Sequence, residues 1–298
     1  MATRRWTIGA DIGGTQLKIG LVDRSGRVAA IRVRSTRGLR GATPFIDVLA
    51  REAESLARSV GCRPDQLRGI GVGAPGPVDS ARGLVRTLVN VPGWRDVPLA
   101  RRLSRRLRCA CTVDNDANLF TLGEWRFGAG QGTTQLIGIT LGTGVGGGLV
   151  LNGALYRGAR GCLEAHVGTA AILSMARREL RRGSGPLRRL ARLARGRLTP
   201  ELVSHAARQG DRGARRVWDE AGAALGVGLA SVVNLLNPDR IVIGGGVAGA
   251  WPFFYPSLIR TMRAQAMAGS VRAVRVVRSR LADAAGVVGA AVLVWDET

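Results

Sequence analysis

Two glycine-rich runs and one cluster of carboxylates are the parts of this sequence equipped to do chemistry. The first run, residues 11–18, carries Asp11, Gly13, Gly14, Thr15 and Lys18. Set between two strands, such glycines let backbone N–H groups turn toward a phosphate, while Thr15 offers a hydroxyl and Lys18 a charge. Taken alone, Gly13 and Gly14 suit an ordinary type I′ hairpin equally well. A second run, residues 141–148, places Gly142, Thr143 and Gly144 at the equivalent point in the second half of the chain. Two such runs in matched positions favour phosphate binding over unrelated turns. The cluster is Asp114, Asn115 and Asp116, between an apolar run and a helical stretch containing Gly123 and Glu124. Phosphoryl transfer asks a protein for alignment, charge neutralisation and one carboxylate to deprotonate the attacking hydroxyl, and Asp116 suits that task. The competing use of the cluster is a helix cap, for which Asp114 or Asn115 is placed.

Residues 71–76 and 142–147 also satisfy G-x-G-x-x-G. A dinucleotide fingerprint needs that run to open a helix, whose N-terminus then meets the pyrophosphate. Pro75 and Pro77 block a helix after the first run, and a strand follows the second. No Gly-Lys pair occurs, which removes a Walker A loop.

Periodicity outlines the elements that must hold these residues. Apolar, β-rich runs at 7–9, 18–22 and 28–33 read as an antiparallel meander, followed by a helix over 44–60 with Phe45, Val48, Leu49, Leu56 and Val60 on one face. Strands at 68–72 and 110–113 flank a short basic helix at 99–107, giving the order βββαβαβ. The plan restarts with strands at 135–140 and 148–151, helices from 169 and 215, and a buried strand at 239–243. A last helix over about 284–294 is expected to return to the first half.

With 298 residues, 46% of them apolar, the chain has material for two ordinary cores. The basic start at 1–5 leads into a strand too short for a signal peptide or a membrane span, and 221–236 is closed by Asn237 and Pro238 as a buried helix would be. A soluble, cytoplasmic protein is the expectation. The net charge of +23 attracts phosphate-bearing partners in general. Lys18 is the single lysine among 44 basic residues, so a drift toward arginine is the simpler account, and no specific nucleic acid or membrane partner is expected. Cys62, Cys109, Cys111 and Cys162 form neither a disulfide framework nor a complete zinc knuckle.

Together these segments resemble the ROK family (repressors, open reading frames and sugar kinases). The resemblance rests on residues 11–18, 71–78, 90–94, 114–118, 142–148 and 237–246. It implies an α/β fold of the actin/hexokinase type: two ribonuclease H-like tandem domains, each a mixed βββαβαβα sheet with flanking helices. They are expected at 1–117 plus the helix 284–298, and at 118–283, with the Gly13 and Gly144 turns facing one another across a cleft. It further implies a homodimeric kinase using Mg-ATP and a hexose, glucose first, with Asp116 as base. By the same likeness Asp11, Gly13, Gly14, Thr15, Lys18, Gly142, Thr143 and Gly144 serve the ATP phosphates, and Gly244, Gly245 and Gly246 approach the adenosine. Gly76, Asn90, Asn115 and Glu164 lie toward the sugar. Family repressors carry a helix-turn-helix ahead of the first phosphate loop, and the ten residues before Asp11 favour a kinase form.

The departure from the family pattern is a missing segment. Residues 152–158 match N-G-x-L-x-x-G and are followed almost at once by Gly161, Cys162 and Glu164, where family kinases interpose E-x-G-H and a C-x-C-G zinc segment. His166 makes a damaged E-x-G-H out of Glu164–His166 in a competing alignment, which fits the following helix less well. No structural zinc is therefore expected. Losing two charged contacts to the sugar costs ~3–6 kcal/mol of transition-state binding if nothing replaces them. An arginine from the basic helix expected over 177–197 is one replacement, although such a helix is usually a solvated face. The rival reading is a catalytically weak sugar- or nucleotide-sensing protein that keeps the clamp and lost part of the acceptor pocket.

Overall fold

The computed structural model describes residues 5–63, 66–88, 90–157, 163–165, 169–182 and 185–297, with only the backbone of 163–165. The chain divides into two compact units. Residues 1–138, 147–163 and 279–298 form the first, and residues 139–146 and 164–278 the second. Residue 117, the boundary expected from the sequence, lies inside the first.

In chain order the first unit contains β1 (Trp6–Ile12), β2 (Gln16–Asp23), β3 (Val28–Ser35), α1 (Ala42–Ser59), β4 (Leu67–Ala74), β5 (Val78–Asp79), β6 (Leu84–Val85), α2 (Leu99–Leu107), β7 (Ala110–Asn115) and α3 (Asp116–Phe127). Five strands form one sheet in the order β3-β2-β1-β4-β7. The first three pair antiparallel, as a meander does, and β4 and β7 add in parallel beside β1. Helix α1 buries Phe45, Leu49, Ala53 and Leu56 along one stripe, which is how its helical periodicity becomes packing.

Beyond α3 follow β8 (Leu136–Leu141), β9 (Val145–Leu151), β10 (Ala154–Tyr156), β11 (Leu163–Ala165), α4 (Thr169–Arg182), α5 (Pro186–Leu193), α6 (Pro200–Arg208), α7 (Arg212–Leu236), β12 (Arg240–Gly244), α8 (Trp251–Gln265), α9 (Ala268–Ala273), β13 (Arg275–Arg278) and α10 (Ala285–Glu297). Their sheet runs β10-β9-β8-β12-β13, with β11 beside β9, so the strand order of the first sheet recurs. The division between units passes through β8 and β9.

Several expectations need correction. The single basic helix over 177–197 is two helices, because Gly185 caps and Pro186 opens a new one that cannot continue α4. Helix α7 begins at Arg212, not 215, where the Asp211 carboxylate accepts from the Ala214 N–H at 2.8 Å. Helices α6, α8 and α9 were not foreseen, although Phe254, Leu258 and Met262 recur every fourth residue on the buried side of α8. Among the described residues α7 alone is long and apolar enough to span a membrane. It is packed instead on α8, where a Cβ at Gly226 would stand 2.6 Å from the Leu258 oxygen.

Helix α10 lies in the first unit, against β1, β4 and α3. Glycines make this possible. A Cβ on Gly9, Gly71 or Gly123 would overlap the carbonyl oxygens of Val287, Ala290 and Ala285, and one on Gly289 would overlap that of Leu119. Backbone thus meets backbone, and Val287, Val288, Ala290, Ala291 and Leu293 close a core with Val22, Leu119 and Leu122.

Candidate active site

In the first unit β1 delivers Asp11 and β7 delivers Asp114 and Asn115 at the same end of the sheet, since β4 pairs with both strands. The β1–β2 connection, Gly13 to Thr15, closes with the Gly13 N–H on the Gln16 carbonyl at 2.8 Å. It is not a type I′ turn, which needs two positive φ angles that neither Gly13 nor Gly14 adopts. Thr15 is exposed and held through its carbonyl, which accepts from the Thr36 N–H at 3.0 Å.

Asp116 is the first residue of α3 and is half-buried, its Oδ1 accepting from the Ala117 N–H at 2.9 Å at a helix N-terminus, where negative charge is favoured. Its neighbours build the turn. The Asn115 Oδ1 caps α3 by accepting from the N–H groups of Ala117 at 2.9 Å and Asn118 at 3.3 Å, while its Nδ2 donates to the Gly76 carbonyl at 3.1 Å. Gly76, at φ 82°, adopts a backbone that favours glycine. The cap is therefore Asn115. Asp114 is buried and bound otherwise: Oδ2 accepts from Arg157 Nε at 2.6 Å and Oδ1 from Asn118 Nδ2 at 3.0 Å.

Asp11 is half-buried, and burial, reinforced by the Asp116 charge, pushes its carboxyl up to about 7 against the pull of Lys18. Lys18 faces Asp11 across the β1–β2 ladder and reaches Asp283 at 3.1 Å. The N-terminal turn of α10 closes over the same carboxylate, since a Cβ on Gly286 would stand 2.8 Å from the Asp11 Cγ. Asn90 lies in an exposed turn between β6 and α2.

The second unit holds the other half of the expected set. Gly142 N–H donates to the Gly144 carbonyl at 2.9 Å, and the Gly142 carbonyl accepts from Thr169 Oγ1 at 2.6 Å, which ties the loop to the start of α4. A Cβ on Gly142 or Gly144 would meet nothing within 4 Å, so this loop has open space over it. Gly244 ends β12, Gly246 opens a short 3-10 turn, and Gly245 at φ 86° presses against the Leu141 backbone just before the loop. The two glycine segments of this unit are thus brought together.

Glu164 lies on β11, but its side chain, like Cys162 and His166, is outside the described residues. Among the described residues no three His, Cys, Asp or Glu side chains form a metal-holding group. Motif reading missed Arg157, Asp283 and Gly286. The only signal for Arg157 was indirect, that a buried Asp114 needs a cationic partner.

The sequence profile of the ROK family matches residues 7–297. The glucokinase of Thermotoga maritima is 34% identical over 316 aligned positions, covering 96% of each chain. That span exceeds the 298 residues here, so the relative has residues without a counterpart in this chain. The xylose repressor of Caldicellulosiruptor bescii is 25% identical over 96% of this chain and 77% of its own length. Among solved structures, a ROK family glucokinase from Streptomyces griseus, in complex with glucose and AMPPNP, superposes with a TM-score of 0.83 at 30% identity, covering 97% of this chain and 98% of its own. The recurring sheet, the two glycine loops and the Asp116 turn accordingly have one explanation: the chain belongs to the ROK family.

Proposed function

We propose that this protein is a sugar kinase that transfers the γ-phosphoryl group of ATP to a hexose hydroxyl, with glucose as the first candidate. The observation that carries the reading is the Asp11–Asp116 arrangement: one unit presents a half-buried carboxylate at a helix N-terminus, electrostatically coupled to a second half-buried carboxyl at the mouth of a glycine hairpin. The glucokinase relatives support a sugar kinase, and they do not favour the sensor reading.

In this reading Asp116 orients the attacking hydroxyl and accepts its proton as the new O–P bond forms and the bond to the β-phosphate bridging oxygen breaks, leaving ADP. The Asn115 cap and the Arg157–Asp114 pair hold Asp116 in place. Gly13, Gly14, Thr15, Lys18, Gly142, Thr143 and Gly144 serve the phosphates. Gly244, Gly245 and Gly246 border the adenosine, and Gly76, Asn90, Asn115 and Glu164 the sugar. A divalent cation arriving with the nucleotide supplies charge neutralisation of the phosphates. The chemistry of the site fits it, because a half-buried carboxyl raised by a second carboxylate is relieved by added positive charge, and Asp11 is the residue to face that cation. We place the enzyme in the cytoplasm as a homodimer.

The test is ADP release from Mg-ATP across hexoses and N-acetylhexosamines, run to high sugar concentration because the E-x-G-H segment is missing. Asp116→Asn is expected to reduce sugar-dependent turnover by about 10²–10⁴-fold, the range for a general base. Absence of sugar-dependent turnover in the wild type, or equal turnover in the variant, removes the kinase reading.

A further inference from the structure

Lys18 is the one lysine in a chain whose other basic residues are all arginine, and it occupies a particular place. It sits opposite Asp11 in the β1–β2 register, with its side chain only 24% exposed, and its ammonium lies 3.1 Å from an Asp283 carboxylate that is 92% exposed. Asp283 is carried on a fixed support. The preceding segment is fastened to the buried Glu124 carboxylate, which accepts from Ser279 Oγ at 2.7 Å and from the N–H groups of Arg280 at 3.1 Å and Leu281 at 2.8 Å. Ser279 Oγ in turn accepts from the Ala282 N–H at 2.9 Å. Asp283 thus stands on a supported backbone, and Lys18 is the partner carried on a long, rotatable stem.

We propose that Asp283 is a positioning residue that holds the Lys18 ammonium in the nucleotide-free protein and yields it to the phosphates of the incoming nucleotide. The inference rests on the kinase reading of the same site. An ammonium on a flexible stem can pass from carboxylate to phosphate by rotating its terminal bonds, whereas an arginine fork would be retained by the carboxylate in a two-pronged pair. The exchange also suits the local charges. With the nucleotide absent, Lys18 stands opposite Asp11 in the ladder and against Asp283, and Asp283 is the exposed one. An exposed ion pair is weak enough to be surrendered to a polyphosphate chain, which offers more charge at the same distance.

A double-mutant cycle tests this with AMPPNP and Mg²⁺ as the probe, by titration calorimetry on wild type, Asp283→Asn, Lys18→Met and the double variant. Each protein is first checked for an unchanged thermal transition. Asp283→Asn is expected to tighten binding by about threefold to fivefold, the scale of an exposed pair. Lys18→Met weakens it, and the double variant binds as Lys18→Met alone does. In turnover, Asp283→Asn lowers the Michaelis constant for ATP and leaves that for the sugar unchanged. If Asp283→Asn tightens binding as much without Lys18 as with it, the effect is simple repulsion and the inference fails. It fails also if Asp283→Asn weakens binding. A wild type that binds no nucleotide overturns the kinase reading itself, and one that binds while Asp283→Asn changes nothing overturns only the role of Asp283.

Discussion

Replacing Asp11 by Asn should make the empty protein more stable and the enzyme inactive, and the first effect has a definite pH signature. The Asp11 carboxyl is pushed up to about 7, chiefly by burial and then by Asp116. In the unfolded chain it titrates near 3.9, so the folded state holds the proton more tightly by about three units, or about 4 kcal/mol. The sign follows from linkage. A raised carboxyl contributes stability that is complete below pH ~4 and is lost as pH climbs through ~7. Asn keeps the shape without the titration. Relative to the wild type, Asp11→Asn should gain about 1.5 kcal/mol at pH 5 and about 4 kcal/mol at pH 8, a change of about 2.5 kcal/mol across that window. Urea unfolding at both pH values, with EDTA and without nucleotide, measures the difference, following the transition that includes the first unit. Sugar-dependent ADP release measured in parallel should vanish. A stability difference that is flat or shrinks from pH 5 to pH 8 would refute the burial argument, and retained turnover would remove Asp11 from the site.

Two further substitutions probe the framework. Gly71→Ala drives a Cβ into the Ala290 carbonyl, backbone that cannot rotate away, so α10 must lift from the sheet; a loss of roughly 3 kcal/mol or more is expected in urea unfolding, at the high end for overpacking. Arg157→Met strands the buried Asp114 carboxylate and should cost about 3–5 kcal/mol, while adding Asp114→Asn should recover most of that loss in thermal unfolding.

The motifs were legible because their chemistry restricts residue type. Glycine lets backbone come close to a phosphate and a carboxylate can act as a general base, so residues 11–18, 114–118 and 142–148 stood out without any structure. The alternating sheet plan was legible for the same kind of reason, with period-two runs ending at turn residues. What stayed hidden were couplings between distant positions. Arg157 and Asp114 are 43 residues apart, and Lys18 and Asp283 are 265 apart. A pairing of unlike charges leaves no periodic trace in a chain with 44 basic residues. The break between α4 and α5 was a local signal misread, since arginine continuity across Gly185 and Pro186 says nothing about backbone continuity.

Glycine stands in two opposite surroundings in this protein. At Gly142 and Gly144 the missing side chain leaves open space. At Gly9, Gly71, Gly123 and Gly289 it leaves none, because another backbone has already taken it. Pressed into that glycine-lined groove, α10 brings Gly286 onto Asp11 and sets the turn bearing Asp283 beside Lys18. The last helix of the chain therefore packs beside the first hairpin, and its position depends on the absence of four methyl groups, three from β1, β4 and α3 and one from the helix itself.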